Sequence, residues 1–323
     1  MKYIVSFLFF IAVTFSCNFV LAVDDSLPLS ASSEQTAEAH KIKIAAGGFL
    51  DDYYMIGLRL CSYMSSATGK RCELVPTSGS LENIKLLQNN EVDFAFATST
   101  LAADVYNGTG QFDQEAPDED LVQLLNLHDL YFTALAKDND NIKTFQDLDG
   151  KNISNGPPSS DSTDIYKQIF ALYKFKQEPT DIESLYENYA TQYCSGTIDA
   201  LMILTGHPNS LVNMIAHKCQ SGFIAMDSSK IDSLTKNNKL FFKATLKKGS
   251  YPGITRDTDT VATKAIFITR QSKHPQITTS FLNHVRGRLE QLKLSNEVLN
   301  KLSTQDFTSN FVLPEFNNES MCQ

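Results

Sequence analysis

Five times along this chain an apolar run ends in a short polar turn and a helix-like stretch follows. The turns are Gly47-Gly48-Phe49-Leu50-Asp51-Asp52, Thr77-Ser78-Gly79-Ser80, Thr98-Ser99-Thr100, Gly156-Pro157-Pro158-Ser159-Ser160 and Gly206-His207-Pro208-Asn209. Repeated strand, turn and helix imply βαβ units and therefore an α/β fold with a parallel sheet. On such sheets ligands bind at the carboxyl ends of strands, beside helix N-termini. Turns made of hydroxyls, glycines and backbone N–H groups hold a small anion. They offer no nucleophile paired with a base, so they indicate holding a molecule rather than transforming it, and no enzyme activity is expected.

The N-terminus narrows the compartment. Met1-Lys2 precedes an apolar run from Tyr3 to Phe15, and Val20-Leu21-Ala22 carries small or aliphatic residues where a signal peptidase reads. This reads as a secretory signal peptide over 1–22. A membrane anchor is the alternative, but the run is shorter than the ~20 residues a spanning helix needs. Cys17 invites a lipoprotein reading, yet Thr14-Phe15-Ser16 lacks the usual pattern before such a cysteine. Cleavage after Ala22 places the mature chain in the periplasm, with no direct membrane insertion. It removes Lys2, so the net charge of −9 becomes −9 − 1 = −10. No basic stripe is present to neutralise phosphates, so nucleic acid is excluded as a partner.

Five cysteines survive cleavage: Cys61, Cys72, Cys194, Cys219 and Cys322. An oxidising compartment makes disulfides reasonable. Cys61 with Cys72 and Cys194 with Cys219 would close loops that each contribute about 3 kcal/mol in the chain-entropy picture. Buried free thiols are the alternative. No CxxC or close Cys/His pair suggests zinc, and no cofactor is expected. Phosphate-loop and dinucleotide motifs are missing as well.

Residues 23–40 read as a mobile leader. Strands are expected over Lys41–Ala46, Cys72–Pro76 and Val92–Ala97, with helices over Tyr53–Ser65 and from Leu81 to Leu87. A second block repeats the pattern, with strands at Leu130–Ala136, Asn152–Asn155 and Ile198–Leu204 and helices at Ser162–Tyr173 and Ser210–Ala216. Val261–Thr269 returns as a strand, and Ile277–Lys293 and Ser295–Leu302 read as C-terminal helices. A crossing near 127–131 and a return near 247–261 divide the chain into two lobes, 41–128 plus 249–323 and 129–248, with a cleft between them.

The turns then become candidate ligand contacts. In Gly156–Ser162 the Pro-Pro pair stiffens the strand exit. Ser159, Ser160 and Ser162 sit where a helix begins, with Asp161 in its first turn, and could hold a carboxylate or simply cap the helix. Ser80 and Asn83 have the same shape, and Thr98 and Ser99 end the third strand. His207 reads more readily as a structural hydrogen-bonding histidine than as a base. Asp51 and Asp52 favour the dipole of the first helix; alternatively one of them meets a ligand ammonium.

These turns, in this order, resemble the TAXI family, the extracytoplasmic solute-binding subunits of TRAP transporters. The resemblance runs from Ile42 to Leu313. It rests on Tyr53-Tyr54 after the glycine turn, on Gly79-Ser80 with Asn83, and on Val105-Tyr106-Asn107-Gly108-Thr109-Gly110-Gln111-Phe112. Gly156-Pro157-Pro158-Ser159, Gly206-His207-Pro208-Asn209 and Tyr251-Pro252-Gly253 extend it, and the cysteine pairs Cys61–Cys72 and Cys194–Cys219 fit it. The resemblance implies a two-lobe type II periplasmic binding protein fold with a hinge and an interlobe cleft. It implies a small carboxylate ligand, such as glutamate or 2-oxoglutarate, and a TRAP membrane permease as partner. Its pocket would draw on Asp51, Asp52, Tyr53, Tyr54, Ser80, Asn83, Thr98, Ser99, Ser159, Ser160, Ser162 and His207. A periplasmic sensor that presents its bound state to a membrane receptor kinase is the alternative. The chain departs from the family pattern at Phe49-Leu50-Asp51-Asp52, where a Gly-Thr-Gly-Gly series is usual, and at Thr98-Ser99-Thr100, where Gln-Ser-Asp is usual. Near Pro314 it lacks the usual His-Pro-Gly-Ala. If Asp51 or Asp52 faces the cleft, an amino acid is expected to bind better than the matching keto acid.

Overall fold

The segment Phe94-Ala95-Phe96-Ala97 shows how one strand serves two cores. In the computed structural model, which describes residues 41–49, 51–158 and 160–317, Phe94 and Phe96 pack on one face of a sheet while Ala95 and Ala97 pack on the other. Side chains alternate along a strand, so a strand buried on both faces is apolar throughout. The signal peptide, the leader, Ser159 and Cys322 lie outside the described residues.

The elements run β1 (Ile42–Ala46), α1 (Asp52–Thr68), β2 (Cys72–Pro76), α2 (Ser80–Gln88), β3 (Phe94–Thr98) and α3 (Ser99–Asn107). A long strand β4 (Leu121–Lys137) follows. Next come β5 (Asn152–Ser154), α4 (Asp161–Phe170), β6 (Thr180–Asp181), α5 (Tyr189–Ser195), β7 (Ala200–Thr205), α6 (Ser210–Cys219) and β8 (Ser221–Phe223). The chain ends with α7 (Ser228–Asn237), β9 (Phe242–Leu246), β10 (Thr258–Arg270), α8 (Pro275–Arg286) and α9 (Leu289–Lys293).

The strand order is β2-β1-β3-β10-β4-β7-β5-β6. The β2-β1-β3 block is parallel, and so is β7-β5-β6. The long antiparallel pair β4 and β10 joins the two blocks. Between the pairs Lys264–Asp129 and Ile266–Asn126 their register shifts, which marks a bulge at Leu127-His128 where the strands pass from one half to the other. The expected crossing therefore consists of two continuous strands.

Each half has a core on both sheet faces. In the first half, α1 and α8 cover Phe94, Phe96 and Phe267 through Ile56, Leu60, Phe281 and Val285. There α2 and α3 cover Ala95, Ala97 and Ile266 through Ile84, Leu87, Leu101 and Ala102. In the second half, Phe132, Ala134 and Met202 meet Ile165 and Ile169 of α4. On the opposite face Leu135, Leu201 and Ile203 meet Tyr189 and Tyr193 of α5 and Val212 and Ile215 of α6. Each fully buried Leu, Ile or Phe contributes roughly 1.5–3 kcal/mol.

Cys61 of α1 is joined to Cys72 at the start of β2, with Cα atoms 5.4 Å apart. Cys194 of α5 is joined to Cys219 at the end of α6, at 5.3 Å. Both disulfides fasten elements within one half, α1 to β2 and α5 to α6, rather than one half to the other. Among the described residues no helix is long and apolar enough to cross a membrane.

Several boundaries differ from the sequence reading. The expected helix over Ile277–Lys293 breaks into α8 and α9, because Gly287 ends the first and Arg288 leaves helical geometry (φ −128°, ψ 24°). Over Ser295–Leu302 only the single turn Glu297–Leu299 forms, capped by the Asn296 side chain. The helix α7 was not anticipated, since only Ile231 and Leu234 of its residues are buried apolar side chains.

Candidate functional site

Four helix N-termini and the end of one strand converge where the two halves meet. From the first half come the starts of α1, α2 and α3. From the second come the start of α4 and the end of β7. A helix start leaves backbone N–H groups without intrahelical partners and a partial positive charge. In this protein the complementary groups are side-chain carboxylates of the chain itself.

Asp161, the first residue of α4, reaches across to α2. Its Oδ1 accepts from the Ser80 backbone N–H at 2.7 Å, and its Oδ2 accepts from the Ser80 hydroxyl at 2.8 Å. The Ser80 Oγ in turn accepts from the Thr98 N–H at 2.8 Å, which ties the starts of α2 and α3 to the same point. The turn that allows this approach needs Gly79. Its φ of +139° is closed to other residues, and a Cβ there would stand 3.1 Å from Asp161 Oδ1.

A second bridge runs the other way. Asp52 of α1 accepts from the Thr205 hydroxyl and from the Gly206 N–H, both at 3.1 Å. Asn209 donates to Thr205 Oγ1 at 2.9 Å and holds that hydroxyl in place. Behind Asp52 stands His128, 4% exposed, whose ring nitrogens have no hydrogen-bond partner. Its Nε2 lies 3.9 Å from Asp52 Oδ2. Burial, reinforced by the Lys264 charge, pushes the His128 pKa down to about 3, so the ring is neutral and the contact is not an ion pair.

Asp51 caps α1, accepting from the Tyr53 N–H at 3.1 Å. Burial raises its pKa to about 8, with the nearby charges of Asp52 and Asp161 adding to the effect. Burial also raises Asp52 and Asp161 to about 6, against the hydrogen bonds each accepts. Among the described residues no lysine or arginine makes a hydrogen bond or ion pair with any of these three acids. The Tyr53 ring stacks on Phe96 at 5.2 Å. Its hydroxyl, on a side chain 1% exposed, makes no hydrogen bond of good geometry and faces Ser80 and Asp161. Tyr186, from the turn before α5, brings a second phenol near Ser162, Asp51 and Asp161.

Two cavities flank this junction. One, of about 190 Å³, lies between Leu81, Thr98, Leu101 and Gln111 of the first half and Ser160, Asp161, Thr163, Asp164 and Lys167 of the second. A smaller one touches Asp51, Tyr186, Thr205 and Asn209.

The other sequence-derived candidates are placed as follows. Asn83 is 0% exposed; its amide donates to the Phe96 carbonyl at 2.9 Å and accepts from the Thr77 hydroxyl. Ser99 pairs with Thr263 at 2.9 Å inside the first half. Thr98 caps α3 through Leu101 N–H. Ser160 donates to the Asn155 carbonyl at 3.2 Å, and Ser162 accepts from the Leu204 N–H at 2.8 Å. Tyr54 packs edge-on against Phe49 at 4.8 Å. His207 is held by Tyr251 at 2.6 Å and Thr133 at 2.8 Å, and burial lowers its pKa to about 4. The polar atoms of Asn83, Ser99, Ser160 and Ser162 are thus engaged within their own halves, and those of His207 by Thr133 and by Tyr251, whose ring packs in the core of the second half. Asp51, Asp52, Tyr53 and Ser80 are brought together at the junction. Sequence reasoning did not select Asp161, Tyr186, Thr205 or His128 as contacts. Asp161 alone carried a signal, its place in the first turn of a helix; its partner Ser80 is 81 residues away.

The chain is similar in fold to MatC from Rhodopseudomonas palustris with bound malate: TM-score 0.54, 13% identity, covering 81% of this chain and 89% of that one. It is also similar to a protein from Bordetella bronchiseptica RB50, with TM-score 0.50, 13% identity, and coverage of 79% and 75%. The alkanesulfonate-binding protein SsuA from Xanthomonas axonopodis pv. citri, bound to MOPS, matches with TM-score 0.48 and 13% identity over 81% and 78%. The architecture is a two-lobe α/β fold like that of these proteins, with β4 and β10 running between the lobes and the acidic junction where the lobes meet. The model of the NMT1-like family matches residues 44–314, from within β1 to beyond the last core element, and the chain therefore belongs to the NMT1-like family.

Proposed function

We propose that this protein is an extracytoplasmic solute-binding protein that closes over a small polar organic solute and presents it to a membrane permease driven by an ion gradient, of the TRAP type. The observation that carries the reading is the paired bridge across the cleft, Asp161 to Ser80 and Asp52 to Thr205 and Gly206. These contacts join groups from opposite halves, so they exist only when the halves are together. A solute that adds its own contacts to both sides shifts the population toward that state. Among the described residues of the cleft, His207 is spent on Tyr251 and Thr133 and is not paired with a nucleophile there. The reading is therefore one of capture without turnover. The lobes would be 41–128 with 249–323, and 129–248.

Of the two solute classes that the resemblance implies, an amino acid suits this cleft better than a 2-oxo acid. An ammonium meets Asp51 and Asp52 favourably, whereas a keto oxygen meets them without a donor to offer. The test is thermal stabilisation and calorimetry with glutamate and 2-oxoglutarate at pH 8. Binding raises the melting temperature in proportion to the logarithm of ligand over Kd. Glutamate should stabilise the protein and 2-oxoglutarate should do so at least tenfold less tightly. Preference for the keto acid, or turnover of either compound, defeats the reading.

A further inference from the structure

The cleft already contains the carboxylate that its anion site would take. The N–H and hydroxyl of Ser80, at the start of the nine-residue helix α2, form the donor pair with which a helix N-terminus grips a ligand carboxylate. Both donors are occupied by the two oxygens of Asp161. Asp51, Asp52 and the phenols of Tyr53 and Tyr186 stand around that contact. The Tyr53 hydroxyl is buried, makes no hydrogen bond of good geometry and faces Ser80 and Asp161. A set of three carboxylates and two phenols without a paired lysine or arginine is rich in acceptors. It is short of one thing, a positively charged donor. An ammonium supplies such a donor; among the described residues no three His, Cys, Asp or Glu are grouped to hold a metal ion.

Resting on the reading of the protein as a solute receptor, we propose that the cleft recognises an organic amine, seated between Asp51 and the Tyr53 and Tyr186 hydroxyls, and that the ligand needs no carboxylate because Asp161 fills that role from within the chain. An ammonium there completes hydrogen bonds that the closed protein leaves unmade and offsets the charge of the three acids. Asp51 is faced by Asp52 and Tyr53 from α1, by Asp161 from α4 and by Tyr186 from the turn before α5. Burial, with the charges of Asp52 and Asp161 adding to it, holds its proton on at neutral pH, and an arriving ammonium releases it.

The experiment is calorimetry of the full mature chain at pH 7 with four probes: 1,4-diaminobutane, 4-aminobutyrate, glutamate and 2-oxoglutarate. Each is measured in two buffers of different ionisation enthalpy. The expected order of affinity is the order given, with at least tenfold between diaminobutane and glutamate, and with proton release on amine binding. Asp51→Asn should weaken diaminobutane at least thirtyfold and abolish the proton release without lowering the melting temperature. A residue that merely supported the fold would lose binding and stability together. Glutamate binding more tightly than diaminobutane overturns the amine assignment and leaves the amino-acid receptor reading intact. A preference for 2-oxoglutarate overturns both. Amine binding that is undiminished in Asp51→Asn, or no amine binding up to millimolar concentration, overturns the assignment.

Discussion

Replacing Asp51 by Asn should stabilise this protein, and the gain should grow with pH. The carboxyl is raised from 3.8 to about 8 by burial and by Asp52 and Asp161. Between those values the folded chain holds a proton that the unfolded chain has released. The native state then binds more protons than the unfolded one, so stability falls as pH rises through this window. From 3.8 to 7 is about 3 pH units, each worth about 1.4 kcal/mol, which sets a ceiling of about 4 kcal/mol at neutral pH. Part of that is relieved when the halves separate and water reaches the carboxyl. Asn keeps the cap, because its side-chain oxygen accepts from the Tyr53 N–H as Asp does and the two rank together as N-caps. The net expectation is roughly 1–2 kcal/mol at pH 7 to 8, or roughly 2–3 °C in melting temperature for a chain of this size. At pH 4 the two proteins should melt within about 1 °C of each other, since the unfolded carboxyl, with its value of 3.8, is then partly protonated too and the two states differ by only a fraction of a proton. The chain has no tryptophan, so calorimetry or far-ultraviolet circular dichroism from pH 4 to 8.5 is the assay. An Asp51→Asn protein that melts lower than wild type at pH 8, or a difference that does not change with pH, refutes the reasoning.

Two further substitutions probe the bridges. In Gly206→Ala the new Cβ would stand 2.7 Å from His128 Cδ2, 2.9 Å from Val298 Cγ1 and 3.0 Å from Asp52 Oδ2. Something must move, and a loss of about 2 kcal/mol is expected in urea unfolding, with a more open shape by small-angle scattering. Ser80→Ala removes a donor to Asp161 and the acceptor of the buried Thr98 N–H. A cost of about 1–3 kcal/mol follows from the unsatisfied group, and the same scattering measurement should show the halves parting.

The fold was legible because its strands are buried on both faces and its helices on one. Phe94 to Ala97 and Ala200 to Leu204 could hardly be anything but strands, and the polar turns after them place the helices. What was hidden was length and continuity. The strand β4 extends from Leu121 to Lys137 although Asn126, His128 and Asp129 interrupt its apolar run. Those polar residues are tolerated because they sit at the bulge and crossing, where side chains meet the cleft or a partner: Asn126 pairs with Gln123, and Asp129 with Lys264. The helix α7 escaped notice because two apolar residues in ten give no visible periodicity.

The site was legible only where a residue's role is local. That Asp51 caps a helix follows from its neighbours, and the structure places the Asp51 Oδ1 on the Tyr53 N–H. That Asn83 turns inward to the Phe96 carbonyl, or that Ser99 turns inward to Thr263, depends on strands that no local pattern names. The junction between Asp161 and Ser80 is the extreme case. Both residues look like ordinary helix-start residues, and only folding reveals that each satisfies the other.

That junction also decides what the overall architecture leaves open. The same two-lobe scaffold accommodates many ligands, because ligand class is set by the few groups at the helix starts rather than by the sheet. Bare helix N-termini favour an anion. Here Asp51, Asp52 and Asp161 bring one carboxylate each to that region, and two of them lie directly on backbone N–H groups of the opposite half. With the Ser80 and Gly206 N–H groups satisfied from within, an incoming anion at this junction meets three acids, and Lys167 stands in the flanking cavity instead. An incoming cation finds acceptors whose protons it can displace. The long-range field acts in the same direction, since a chain of net charge −9 draws cations toward its surface and repels anions. On the amine reading, a single substitution should be insufficient to make the cleft take a carboxylate: Asp161 must leave Ser80 to free the donors, and Asp51 must be unable to ionise beside the anion. The double substitution Asp51→Asn with Asp161→Asn separates these requirements from either change alone, because the two carboxylates act on one another and their effects on binding should not add.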